Sequence, residues 1–274
     1  MVKKYIYVTL SATSLLIFCL FIASFSTPKE YILKHKIPID GKFMTADHLL
    51  NAYVIDENNQ VLKYNPDGEL IARFSENRYG SSTTVDATSP FNTLIFYKDY
   101  STIVSIDNQM NPRTLYRLPS IELNEITAMG LSDDNYVWIF DAQESRLKKI
   151  NTKYEVIQQS LELNTLLEVE LNPNFIIERD KKVFVNDPEV GILVFDVFGN
   201  YYNSFPIGEL ESFQIFKNNV VFHKDGEIKL FDFTSFDVKS LPLPATVSEI
   251  KFIHIEKNRL FVLNESELQI YESR

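Results

Sequence analysis

Six stretches of this chain follow one five-residue grammar: "VLKYN" at 61–65, "IVSID" at 103–107, "LKKIN" at 147–151, "ILVFD" at 192–196, "IKLFD" at 228–232 and "LQIYE" at 268–272. Each opens on an aliphatic residue, carries an apolar or aromatic residue three positions on, and closes on Asn, Asp or Glu. Seven residues before each opening aliphatic stand Val54, Phe96, Phe140, Val185, Val221 and Phe261, all of them apolar. Successive starts are 42, 44, 45, 36 and 40 residues apart. A repeat of this period marks a supersecondary unit that cannot bury its apolar face alone, and four-stranded propeller blades run about 40–45 residues. Polar clusters separate the two apolar runs of each unit: "DENNQ", "KDYST", "DAQES", "NDPEVG", "HKDGE" and "NESE". Short strands joined by such clusters are hairpins. Gly numbers only 8, so Asn and Asp must supply many of the turn conformations. The 21 Phe and 14 Tyr favour strands over helices. The chain is therefore expected to be all-β: a six-bladed propeller of four-stranded antiparallel blades. An irregular β-sandwich would leave the shared spacing to chance.

The ring needs a closure, and a proline motif shows where it lies. "RLPSI" at 117–121, "SFPI" at 204–207 and "SLPL" at 240–243 follow three of the repeats. Proline cannot donate to a ladder, so it suits an outermost, edge strand. The sixth unit ends at Arg274 without this element, and the missing piece stands at the start, in "YILKHKIPI", residues 31–39, with Pro38 in the same context. Residues 31–39 are expected to form the outer strand of the last blade, which removes an exposed edge. The blades then span 43–76, 83–121, 126–163, 174–208, 213–245 and 249–274 plus 31–39. The insertion "LNTLLEVELNPN", 163–174, suits a short helical turn.

Ahead of the repeats, Lys3 and Lys4 precede an apolar stretch from Tyr5 to Ala23, followed by Ser24 and Ser26. A basic start, an apolar core and small residues before a polar sequence make an export signal, here residues 1–26. Two other readings stay open. About nineteen apolar residues approach a membrane span, so the segment also suits an uncleaved anchor. Cys19, the single cysteine, suits acylation less well, because Phe18 stands where a lipobox has a small residue. All three place residues 27–274, one propeller domain, across the inner membrane, in the periplasm or at the envelope of a Gram-negative bacterium. That segment has 25 basic and 37 acidic residues, a formal charge of -12, against -10 for the whole chain. Such a surface repels phosphates, so nucleic acid is not an expected partner.

The repeat set resembles the NHL-like six-bladed propellers that bacteria export. Within it, "DATSPFNTLIFYKDYSTIVSIDNQMN", 86–111, is similar to a segment recurrent in uncharacterised exported propellers of the Bacteroidetes. The resemblance covers nearly all of 31–274 and implies the architecture. It does not choose among the binding modules, lactonases and assembly scaffolds built on that frame.

Ligands of propellers gather at the mouth of the central channel, which the innermost strands line. Those strands are expected in "FMTADHLL", "TTVDAT", "ITAMG", "FIIER", "FQIFK" and "IKFIHI", bringing Asp47, His48, Asp86, Glu178 and His254 towards the axis or its rim. A lactonase-type hydrolase with a central divalent cation would need Glu, Asn and Asp from several blades around a hard ion. The available set is thin and mostly apolar. His35, His48, His223 and His254 share no motif. There is no P-loop, dinucleotide fingerprint, EF-hand or nucleophile elbow, and no catalytic or metal-ligating residue is assigned. Trp138 aligns with core strand positions. The acidic turns "DENNQ", "KDYST" and "SDDN" suit solvated loops better than a calcium site. The expected role is binding or scaffolding of an envelope protein, peptide or glycan by a monomeric propeller, without a cofactor. The membrane enters only through an uncleaved N-terminal segment. A periplasmic hydrolase is the alternative.

Overall fold

A computed structural model describes residues 31–244, 247 and 249–273 of the chain. The export signal expected at 1–26 lies outside the described residues. Twenty-four strands form six antiparallel four-stranded sheets. Blade one is β2 (Gly41–Ala46), β3 (Ala52–Asp56), β4 (Gln60–Tyr64) and β5 (Leu70–Ser75). Blade two is β6 (Ser82–Asp86), β7 (Thr93–Tyr97), β8 (Thr102–Ile106) and β9 (Pro112–Arg117). Blade three is β10 (Ile126–Leu131), β11 (Val137–Asp141), β12 (Arg146–Ile150) and β13 (Val156–Gln159). Blade four is β14 (Phe175–Arg179), β15 (Lys182–Asp187), β16 (Gly191–Asp196) and β17 (Tyr201–Phe205). Blade five is β18 (Gln214–Phe216), β19 (Asn219–Lys224), β20 (Glu227–Asp232) and β21 (Val238–Leu241). Blade six joins β22 (Ile250–Glu256), β23 (Arg259–Asn264) and β24 (Glu267–Ser273) to β1 (Tyr31–Pro38), the first described strand.

The five-residue grammar is the third strand of each blade, and its positions have separate physical roles. The opening aliphatics Val61, Ile103, Leu147, Ile192, Ile228 and Leu268 are all 0% exposed. The fourth positions, from Tyr64 to Tyr271, are buried as well. Side chains on both sheet faces go into apolar clusters between adjacent blades, so each blade is stabilised by its neighbours. The closing Asn or Asp is a turn device. The side-chain oxygens of Asn65, Asp107, Asn151 and Asp196 each accept the backbone N–H groups two and four residues on. Asp232 accepts those of Thr234 and Ser235. Each holds the hairpin into the outermost strand. In the sixth copy the outer strand is β1, and the position is Glu272, which pairs with Lys34 of β1 at 2.8 Å.

That pair belongs to the closure. β1 lies antiparallel on β24, with Ile32 opposite Glu272, Ile37 opposite Leu268 and Pro38 opposite Glu267, and a bulge between Leu33 and His35. Lys36 pairs with Glu267 at 2.9 Å, and the Ile39 N–H donates to the Ser266 carbonyl. Proline stands where an outer strand ends: Pro38 is the last residue of β1, and Pro119, Pro206 and Pro242 follow β9, β17 and β21 within two residues. The insertion after β13 carries one short helix, α1 (Leu163–Leu167), whose Leu163 is buried against blades three and four.

Candidate functional site

The first strand of each blade faces the axis: β2 packs on β22 and β6, and β14 on β10 and β18. Blades three and four approach closely at Gly130. A Cβ on Gly130 would lie 2.6 Å from the carbonyl oxygen of Ile176, so only glycine lets β10 come this near β14. Every residue of β10 is buried, and blade three adds no surface to the cavity at the axis. The channel is consequently off-centre. A cavity of about 390 Å³ is lined by blades one, two, four, five and six and by no residue of blade three. Its wall is apolar in about equal part to polar, the apolar part coming from Phe43, Phe175, Ile177, Phe213 and Ile253. Polar groups enter from Thr45, Gln214, His254, Asp86 and Arg179.

Of the five residues proposed from sequence for the axis or its rim, His48, Asp86 and His254 line this cavity. Asp47 and Glu178 do not line it. Asp47 is buried in the β2–β3 turn, where its carboxylate accepts the N–H groups of Leu49 and Asn51, the Asn51 amide and the Tyr53 hydroxyl. Burial and this carboxylate together push the Tyr53 phenol far above its ordinary range. Glu178 is also buried, and one oxygen accepts both the Ser132 hydroxyl, at 2.7 Å, and the Trp138 indole N–H. Asp86 accepts the N–H of Leu131 at 2.7 Å and that of Thr88 at 2.9 Å. Asp86 from blade two and Glu178 from blade four thus hold the inner strand of blade three from its two sides. Burial raises the Asp86 carboxyl above its ordinary value; the two N–H donors and Arg179 oppose that rise.

Arg179 is the residue that sequence reasoning passed over. Along β14, Ile176 and Glu178 are buried, while Phe175, Ile177 and Arg179 face the cavity. Strand alternation settles this once the side of one residue is known. Among the described residues Arg179 makes no ion pair or hydrogen bond, so its guanidinium is free for a ligand. Across the cavity, His254 sits on β22 with Nδ1 3.4 Å from the Thr45 hydroxyl. Protein surrounds its ring, which still touches the cavity edge. Burial, and then the charge of Arg179, hold the imidazole neutral by lowering its pKa to about 3.

A hard divalent cation needs several free carboxylate or carbonyl oxygens converging on one point. Among the described residues no group of three or more His, Cys, Asp or Glu gathers in that way. Asp47, Asp86 and Glu178 are committed to N–H and O–H donors of the protein and Arg179 stands beside Asp86, which leaves Glu256 as a single carboxylate on the cavity wall. This donor set does not fit a central cation.

Fold and site together define a six-bladed β-propeller with an asymmetric, ligand-sized channel. No protein-family model and no curated protein matches the chain in sequence. Solved structures share its fold. A Bacteroides thetaiotaomicron protein of unknown function is similar over 90% of this chain and 72% of its own, with a TM-score of 0.63 at 11% identity. Virginiamycin B lyase from Staphylococcus aureus is similar over 89% of this chain and 99% of its own, with a TM-score of 0.60 at 12% identity. A catalytically inactive form of that lyase, solved with quinupristin, gives a TM-score of 0.58 at 10% identity, over 89% of this chain and 98% of its own. These likenesses are of fold.

Proposed function

We propose that this chain is an exported binding propeller of the bacterial envelope, which takes part of a protein, peptide or glycan into its central channel. The observation that carries the reading is the cavity itself. About 390 Å³, walled by aromatic and aliphatic side chains together with polar and charged groups, is the size and mixed character of a small-ligand site. Arg179 supplies an unused set of donors, suited to a carboxylate or another anionic group of the ligand. Export rests on the basic, apolar and small-residue pattern of residues 1–26. An origin among the Bacteroidetes rests on the resemblance of 86–111.

The lyase likeness raises a catalytic reading, and the lactonase-type alternative raises another. The chemistry of the channel speaks for binding over both. An imidazole held down to about 3 is a weak base at neutral pH, far from the matched value that general-base catalysis wants. Asp86 and Glu178 are already satisfied by donors of the protein, and Glu256 alone offers too few oxygens for a hard cation. Tagged protein recovered from its native envelope should carry one ligand or partner in near-stoichiometric amount. Recovery of bare protein that turns over a lactone or quinupristin would overturn the reading. So would a stoichiometric metal whose removal by EDTA lowers the melting temperature.

A further inference from the structure

A second surface, remote from the channel, is electrostatically out of keeping with the rest of the molecule. An open groove runs between the outer strand β9 of blade two and the β12–β13 turn of blade three. Arg113 and Arg117 of β9 and Lys153 of the turn line it, and no acidic residue does. The whole chain, by contrast, carries a formal charge of -10. All three cations are exposed, and none forms an ion pair among the described residues. Arg113 donates to the Phe91 carbonyl at 3.2 Å, which fixes its position without neutralising it. The nearby Asp107 carboxylate is turned into its own hairpin, where the hydrogen bonds of Asn111 and Gln109, more than the charge of Arg113, lower its pKa.

Three uncompensated cations in one groove repel one another and are relieved by an anionic ligand. Arg113 and Arg117 lie four residues apart on one strand, so their Cα atoms are separated by roughly 13 Å. The ligand must therefore present charges at intervals, as a polymer does. The backbone edge of β9 offers little to a peptide strand. Pro112 has no N–H, and the Tyr154 hydroxyl already donates to the Leu115 carbonyl. An extended peptide draws its affinity from such an edge, whereas recognition here falls to side chains alone. We propose that this groove binds an acidic polysaccharide through Arg113, Arg117 and Lys153, independently of whatever occupies the channel.

The test uses the folded chain with polygalacturonate as probe, neutral dextran and poly-glutamate as comparators, and the triple variant Arg113→Gln, Arg117→Gln, Lys153→Gln. Binding of polygalacturonate that weakens with added salt is expected, with loss of at least tenfold in affinity in the triple variant. Melting temperature should be unchanged, and Lys239→Gln, an exposed cation on the outer strand of blade five, should bind as the parent does. Absence of polygalacturonate binding at low salt overturns the proposal, as does binding that the triple variant retains. Poly-glutamate bound as tightly as the polysaccharide would replace the glycan by an acidic peptide.

Discussion

Replacing Gly130 by alanine adds one methyl group, and the structure decides the sign of the effect. Gly130 has ordinary backbone angles; it is not among the glycines of positive φ. At such a position alanine normally stabilises a protein by about 0.4–1 kcal/mol, because it restricts the unfolded chain. Here the new Cβ would lie 2.6 Å from the Ile176 carbonyl oxygen, where ordinary contact begins at 3.4 Å. The obstacle is the backbone of the adjoining inner strand, which cannot rotate away. Blades three and four must part by nearly an ångström, straining the Asp86–Leu131 and Glu178–Ser132 bonds that clasp the same strand. Overpacking of this kind costs about 1–3 kcal/mol. The net expectation is destabilisation of about 1–2 kcal/mol. In a domain of this size that lowers Tm by about 2–8 °C. Thermal melting followed by circular dichroism reads it directly. Gly41 is the internal comparison: its Cβ would meet only side-chain methyls of Val54 and Leu263, at 2.8 and 2.9 Å, so alanine there should cost less. A Gly130→Ala protein that melts at or above the parent temperature would refute the close approach of β10 and β14, and with it the off-centre channel.

Three further outcomes follow from the same geometry. Deleting residues 31–38 strips the edge of β24, leaving Leu268, Ile270 and Tyr271 uncovered; the product should aggregate or lose its cooperative melt, and a soluble, cooperatively melting monomer would contradict the closure. Asp196→Ala removes the acceptor for the Phe198 and Asn200 N–H groups and should cost about 1 kcal/mol in urea unfolding, while Glu272→Ala, at the same place in the repeat but outside any turn, should cost less. His254 has its pKa lowered from 6.5 to about 3, so its contribution to stability is complete above pH 6.5 and is lost as pH falls towards 3. The limiting slope is about 1.4 kcal/mol per pH unit. Asp86, whose carboxyl is raised, works in the opposite direction at the acid end. His254→Asn should flatten the acid limb of a stability–pH profile, and an unchanged limb would show that the ring is not held neutral by burial.

The fold was legible because its constraints repeat. Burial at the first and fourth positions of each third strand and a turn acceptor at the fifth recur in five blades, and the exception, Glu272, falls where the outer strand is β1. The proline at the end of an outer strand carried the closure across 230 residues of sequence. The site was less legible. The inner strands carry apolar residues on both faces, so hydrophobic alternation in the sequence does not reveal which side meets the axis: all six residues of β10 are buried, and β14 has Phe and Ile on its cavity side. Glu178 and Arg179 are neighbours with opposite fates for that reason, and an isolated Glu looks the same in sequence whether it faces a ligand or an indole N–H. Asp47 likewise reads as an acid at a strand end, yet its oxygens are consumed by its own turn and Tyr53. The off-centre channel depends on Gly130 meeting Ile176, a contact across two blades that no local pattern encodes.

Filling the channel bears most directly on the binding role. Ile177→Trp places a larger apolar side chain in the cavity wall, on the same strand face as Arg179. Native mass spectrometry of parent and variant, each recovered from the native envelope, compares what they carry. The parent is predicted to hold one ligand per chain, and the variant to be bare while melting within a few degrees of the parent. A variant that recovers the same ligand in the same amount would show that the channel is not the binding site.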